Sequence, residues 1–214
     1  MLNVNNVYLK YTKEYNTLNN INLVIDDGEQ VVLFGEKESG KSSLIRVIAG
    51  LEKVTEGEVL IKNINVNKIN YKTDVSLGYL SSNGAFFENK TVLKNLEYVL
   101  KIRKCDKNMI NSKVNGVILS NNLTGLKDAK LKDLSDYDRM RVAIARLNLR
   151  KIDFLVCDDI FENFAEADAI RLAQMVVNII NQNECSSIVA ISNEKLLKVI
   201  KGKVLKLKFG SIVK

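Results

Sequence analysis

Apolar residues gather in short β-branched runs over residues 4–8, 21–25, 30–34, 58–61, 154–157, 188–191 and 204–207, each of strand length. Between them, apolar positions recur at helical spacing over 42–49, 92–102, 109–119, 138–149 and 167–180. Strands alternating with helices predict an α/β fold whose central sheet is parallel. Three strand runs precede the first helix, which predicts a small antiparallel section at the N-terminus before the parallel core. From Thr91 to about Arg150 the strand pattern disappears. An inserted helical subdomain over about 84–150, within a single domain of 1–214, accounts for that gap.

Composition narrows the chemistry. The 214 residues are 46% hydrophobic and 27% charged, with no histidine, proline or tryptophan. Without histidine there is no Ser-His-Asp or Cys-His relay and no imidazole metal site, so carboxylates, lysine, hydroxyls and backbone amides must do the work. Ordinary proline usage would place roughly 10 in a chain this long; the bland explanation of their absence is a codon-biased genome favouring Lys, Asn and Ile, and that reading stays open. No run approaches the roughly 20 apolar residues of a membrane-spanning helix, and the first residues lack a secretory layout, so a soluble, cytoplasmic protein is expected. Cys105, Cys157 and Cys185 are an odd number with no CxxC spacing and read as reduced, structural thiols. A net charge of +7 fits an acidic partner or simply a solvated basic surface.

The strongest local signal follows the run ending at Phe34. Gly35-Glu36-Lys37-Glu38-Ser39-Gly40-Lys41-Ser42-Ser43 satisfies G-x-x-x-x-G-K-[ST], with a strand before it and a helix after it. The glycines let successive amides face a phosphate, and the following helix aims its positive end at the same place. Lys41 is expected on the β- and γ-phosphates and Ser42 on Mg²⁺. Glu36 and Glu38 place carboxylates beside a triphosphate, which weakens binding unless they point to solvent.

Further along, Leu134-Ser135-Asp136-Tyr137-Asp138-Arg139-Met140-Arg141-Val142-Ala143-Ile144-Ala145-Arg146 resembles the signature helix of the ATP-binding cassette (ABC) family, LSGGQ followed by RVAIAR. Asp153-Phe154-Leu155-Val156-Cys157-Asp158-Asp159 resembles its Walker B strand, and Thr91 to Leu96 stands at a further family position. Order and spacing cover nearly the whole chain. The resemblance implies a P-loop NTPase of ABC type: a mixed sheet core, an N-terminal antiparallel β-subdomain and an inserted α-helical subdomain. It implies head-to-tail pairing with a second cassette, homo- or heterodimeric, with ATP held between the phosphate loop of one and the signature of the other. Closure would drive membrane permease subunits, placing the chain at the inner face of the cell membrane. Tyr11 falls where the family keeps an adenine-stacking aromatic, although an ordinary strand-end tyrosine reads equally well. Asp158 would hold the Mg²⁺ shell; the alternative is a helix-capping aspartate.

Several positions depart from the family pattern. Ser82 replaces the glutamine that senses Mg²⁺ and the transport partner. Asp159 replaces the catalytic glutamate, one methylene shorter, and a water-positioning carboxylate must lie within roughly 3 Å of the water. Asn193 replaces the switch histidine and cannot become cationic. In the signature Ser135 survives, but Asp136, Tyr137 and Asp138 replace two glycines and a glutamine, and Ala165 replaces the D-loop acid. The expected function is therefore an ATP-binding transporter subunit that binds MgATP and hydrolyses it slowly. The alternative is a non-catalytic regulator or scaffold, or the inactive half of a heterodimer. Nucleic acid is not an expected partner: the DNA-repair relatives insert long coiled coils between the phosphate loop and the signature, and no sustained heptads occupy that interval here.

Overall fold

The strand periodicities differ in a way that assigns them to two kinds of sheet. Strand β2 (Leu18–Ile25) buries Leu18, Ile21, Leu23 and Ile25 and exposes the residues between them, the pattern of a sheet with one wet face. By contrast β7 (Phe154–Asp158) and β8 (Ser186–Ile191) are buried almost throughout, as strands covered on both faces must be. The computed structural model describes residues 1–12, 15–71, 73–82 and 84–213. It divides into two compact units, 1–81 with 152–214, and 82–151.

In the first unit, β1 (Leu2–Leu9), β2, β4 (Glu56–Ile61) and β5 (Ile64–Asn65) form an antiparallel sheet in the order β2-β1-β4-β5. A second sheet runs β10-β9-β3-β8-β7-β6, from β3 (Gln30–Phe34), β6 (Leu77–Ser81), β7, β8, β9 (Lys203–Lys208) and β10 (Ser211–Val213). It is parallel except at β10, which pairs antiparallel to β9. Helix α1 (Lys41–Ile48) buries Leu44, Ile45, Val47 and Ile48 in a core shared with Leu2, Ile21 and Val59 of one sheet and Val31, Val156 and Ile188 of the other. Because β3, β7 and β8 run parallel, the residues that follow each of them emerge at one edge of the sheet, where ligands bind in such folds. Helix α5 (Glu166–Asn183) buries Ala169, Leu172, Ala173, Val176, Ile179 and Ile180 at helical spacing.

The second unit holds α2 (Val92–Ile102), α3 (Lys107–Ser120) and α4 (Asp136–Leu147), packed through Val92, Leu96, Leu100, Val114, Ile118 and Val142. Buried Asn95 shapes the chain before α2, donating to the carbonyls of Phe87, Lys90 and Thr91 and accepting from the Phe87 amide. Among the described residues no helix is long and apolar enough to cross a membrane.

Among the described residues, three strands lie outside the sequence expectation: β5, β6 and β10. Gly78 interrupts the apolar pattern of β6, yet it is there for packing, since a Cβ would stand 2.9 Å from Leu155 Cδ1 and 3.2 Å from Ile152 Cδ1. Helix α4 starts at Asp136, two residues before the expected 138, because Ser135 caps it.

Candidate functional site

From Phe34 the chain turns through residues 35–40 into α1, with Glu38 (φ 63°) and Gly40 (φ 100°) left-handed. A Cβ on Gly40 would meet the Thr17 carbonyl at 3.0 Å, so the tight loop against the β2 start requires glycine there. Helix α1 has no side-chain cap and no acidic residue in its first turn. Its leading amides and positive end are thereby left available to an anion.

Lys41 is 3% exposed, and its Nζ donates to the carbonyls of Gly35 (2.8 Å) and Glu36 (2.9 Å). It also stands 3.1 Å from Asp159 Oδ2. Asp158 ends β7, accepts a hydrogen bond from the Ser42 hydroxyl, and keeps Oδ1 buried without a partner. Burial raises the Asp158 pKa, opposed by Ser42. Asp159 adopts a left-handed φ of 43°, which turns its carboxylate to Lys41. Its pKa is pushed up to about 6, chiefly by burial; Lys41 opposes this, and Glu162 and Asp158 add to it. The short ion pair and the raised pKa point opposite ways on the strength of the pairing. Desolvation dominates, because a carboxylate 15% exposed has lost most of its water and gains one cation that two carbonyls already share.

A cleft of about 690 Å³ opens over this loop. Tyr11, Lys37, Glu38, Gly40, Lys41, Ser42, Ser43 and Asp159 line it, so these sequence-derived residues come together. Gly35 and Ser39 lie buried beneath, with Ser39 Oγ lacking a partner, and Glu36 is exposed. The Tyr11 hydroxyl lies 3.4 Å from both Ser43 Oγ and Glu52 Oε2. Asn193 does not line the cleft; its side chain accepts from the Lys195 amide at 3.0 Å and caps the turn Glu194–Lys198. The residue before it takes the inward place: Ser192 Oγ donates to Glu162 Oε1 at 2.6 Å and lies 3.5 Å from Asp159 Oδ1. Ser192 and Glu162 were not singled out in the sequence, although each follows closely on a parallel strand, where site residues collect.

In the second unit, Ser82 is exposed at the first position. Ser135 is the N-cap of α4: its Oγ accepts from the Asp138 amide (3.2 Å) and donates to Asp138 Oδ2 (2.9 Å). Asp138 also pairs with Arg141 at 2.8 Å, and Asp136 adds a second carboxylate to the first turn. Where α1 leaves its amino end bare, α4 has filled its own with carboxylates, which favour that position as an external anion would.

Comparison with known proteins identifies the family and the fold. Residues 18–162 match the family model described as ABC transporter. The chain is 36% identical over 174 residues to the sn-glycerol-3-phosphate import ATP-binding protein UgpC of Bartonella bacilliformis, covering 81% of this chain and 49% of that protein. It is 36% identical over 159 residues to the maltose/maltodextrin import ATP-binding protein MalK of Yersinia pestis, covering 74% of this chain and 42% of that protein. The chain thus spans about half the length of the curated relatives it matches. The dimeric structure of MJ0796, a bacterial ABC transporter cassette, superposes with a TM-score of 0.86 at 23% identity, covering 100% of this chain and 97% of that one. A fold of two sheets around a phosphate loop, a family match across most of the chain and relatives above 30% identity lead to one assignment: the chain belongs to the ABC transporter family and has the fold of its ATP-binding cassettes.

Proposed function

We propose that this chain, acting over 1–214 as one ATP-binding domain, is the nucleotide-binding subunit of an ABC transporter that binds MgATP and hydrolyses it slowly. The bare amino end of α1 beside Lys41 and the loop glycines carries the reading. The phosphates lie on the amides of residues 35–43, and Lys41 exchanges Asp159 for phosphate oxygens. Mg²⁺ fits Ser42 and Asp158, whose buried, unpartnered Oδ1 is the kind of oxygen a hard cation takes. When bound, it supplies positive charge that neutralises the phosphates. Asp159 stands where a carboxylate would orient the attacking water, but it is one methylene short and already turned to Lys41. Asn193 is held by its own turn, and Ser82 and the Ser135–Asp138 closure replace the remaining family contacts. Permease subunits and a second cassette are the partners, at the cytoplasmic face of the membrane. The UgpC and MalK relatives are named for import, which supports an importer.

Calorimetric titration with MgATP tests the reading. Wild type binds, Lys41→Ala does not, and Asp159→Glu raises phosphate release severalfold. A wild-type chain that binds no nucleotide overturns it.

A further inference from the structure

Phe209 is 83% exposed, the most exposed of the large hydrophobic residues. It occupies the first central position of the two-residue turn joining β9 to β10, with φ 47° followed by Gly210 at φ 72°. Positive φ at both central positions defines a type I′ turn, whose first position favours Asn, Asp or Gly; phenylalanine suits it poorly by its shape, and its ring meets Lys208 Nζ 5.4 Å from the centroid. The hairpin is fixed in place. The Gly210 amide donates to the Ser39 carbonyl of the phosphate loop (2.9 Å), and the Gly210 carbonyl accepts from the Asn19 amide (2.8 Å). A Cβ on Gly210 would come within 2.3 Å of the Thr17 carbonyl, so the turn is pressed against β2 and tied to the loop at once. Phe209 borders the same cleft as Lys41 and Ser42. With the triphosphate on the loop, the rest of a nucleotide must leave through the open part of this cleft, where Tyr11, Tyr15 and Phe209 offer carbon surface.

We propose that Phe209 is a nucleotide-binding residue that stacks on the base or ribose of a bound nucleoside triphosphate. The turn accepts a poor residue because an aromatic face is needed at that spot, and the backbone tie to Ser39 keeps that face in register with the phosphates. Aromatic stacking on a base tolerates any base, so the contact adds affinity more than base selectivity. The inference rests on the reading of the cleft as an ATP site.

The chain contains no tryptophan, so Phe209→Trp installs a single indole reporter. MgATP is expected to quench its fluorescence saturably, with a midpoint equal to the calorimetric Kd, while inorganic tripolyphosphate binds without quenching. Phe209→Asn, which suits the turn and so spares the fold, is expected to weaken MgATP binding by roughly fivefold or more and to leave tripolyphosphate binding unchanged. Equal MgATP affinity in wild type and Phe209→Asn, with no quenching in Phe209→Trp, overturns this proposal and leaves the ATP site standing. Failure of wild type to bind MgATP removes both.

Discussion

Replacing Asp159 by asparagine tests whether desolvation or ion pairing governs the centre of the site. Asparagine keeps the shape, tolerates the left-handed backbone at φ 43° and still offers Lys41 an oxygen. Burial raises the Asp159 pKa from 3.8 to about 6, so the folded chain holds this proton more tightly than the unfolded chain. The stability so gained is fully present below about pH 4 and is lost as pH rises through about 6. A rise from 3.8 to about 6 corresponds to about 3 kcal/mol. Asp159→Asn, neutral at every pH, should therefore match wild type near pH 4 and exceed it by up to about 3 kcal/mol at pH 8. For a chain of this size that is roughly 6–12 °C in Tm. Urea denaturation of both proteins between pH 4 and 8.5, without nucleotide, reads the difference. A variant less stable than wild type at pH 8 would show that the 3.1 Å contact with Lys41 outweighs the lost hydration, and the reasoning would fail.

Two further substitutions address the helical unit. Ser135→Ala removes the α4 cap and should destabilise the chain by about 1 kcal/mol, while MgATP affinity of the isolated chain stays within twofold; a large loss of affinity would mean that Ser135 contacts nucleotide within its own chain. Glu97 is buried between Lys94 and Lys101, and the hydrogen bond from Lys101 is the main cause of its lowered pKa. Its contribution is present above the ordinary carboxylate range and disappears as pH falls through the depressed value. Glu97→Gln should thus cost about 1 kcal/mol at pH 7, a penalty that shrinks in acid; a pH-independent difference would contradict the assignment.

The phosphate loop was legible because its function fixes both residue types and flanking elements: a strand, two glycines, a lysine and a hydroxyl. The central strands were legible because burial on both faces demands continuous apolar runs. Strand β6 was not, since Gly78 is chosen by contact with Leu155 and Ile152, which lie far along the chain. The pairing of Asp159 with Lys41 was hidden for a similar reason. It depends on a backbone turn at φ 43° and on the water excluded around it, neither of which a residue letter encodes. Ser135 shows the converse case. The spacing Ser-x-x-Asp announces a capped helix start, but the family pattern drew attention to phosphate contacts instead. Phe209 carried a weaker signal, an aromatic before glycine straight after the strand run 204–207, where turn chemistry would place Asn or Asp.

Strand β3, which launches the phosphate loop, lies between β8 and β9, and the loop itself is tied through Ser39 to Gly210. During synthesis, residues 30–43 emerge early, but their sheet neighbours and this last tie arrive only when residues 186–210 have been made. At about 5–20 residues per second, the nascent loop waits on the order of ten seconds without its walls. The loop thus takes final form only after residues 203–210 have been made, and a ribosome stalled before residue 203 would carry the complete phosphate-loop sequence without the β9 neighbour of β3.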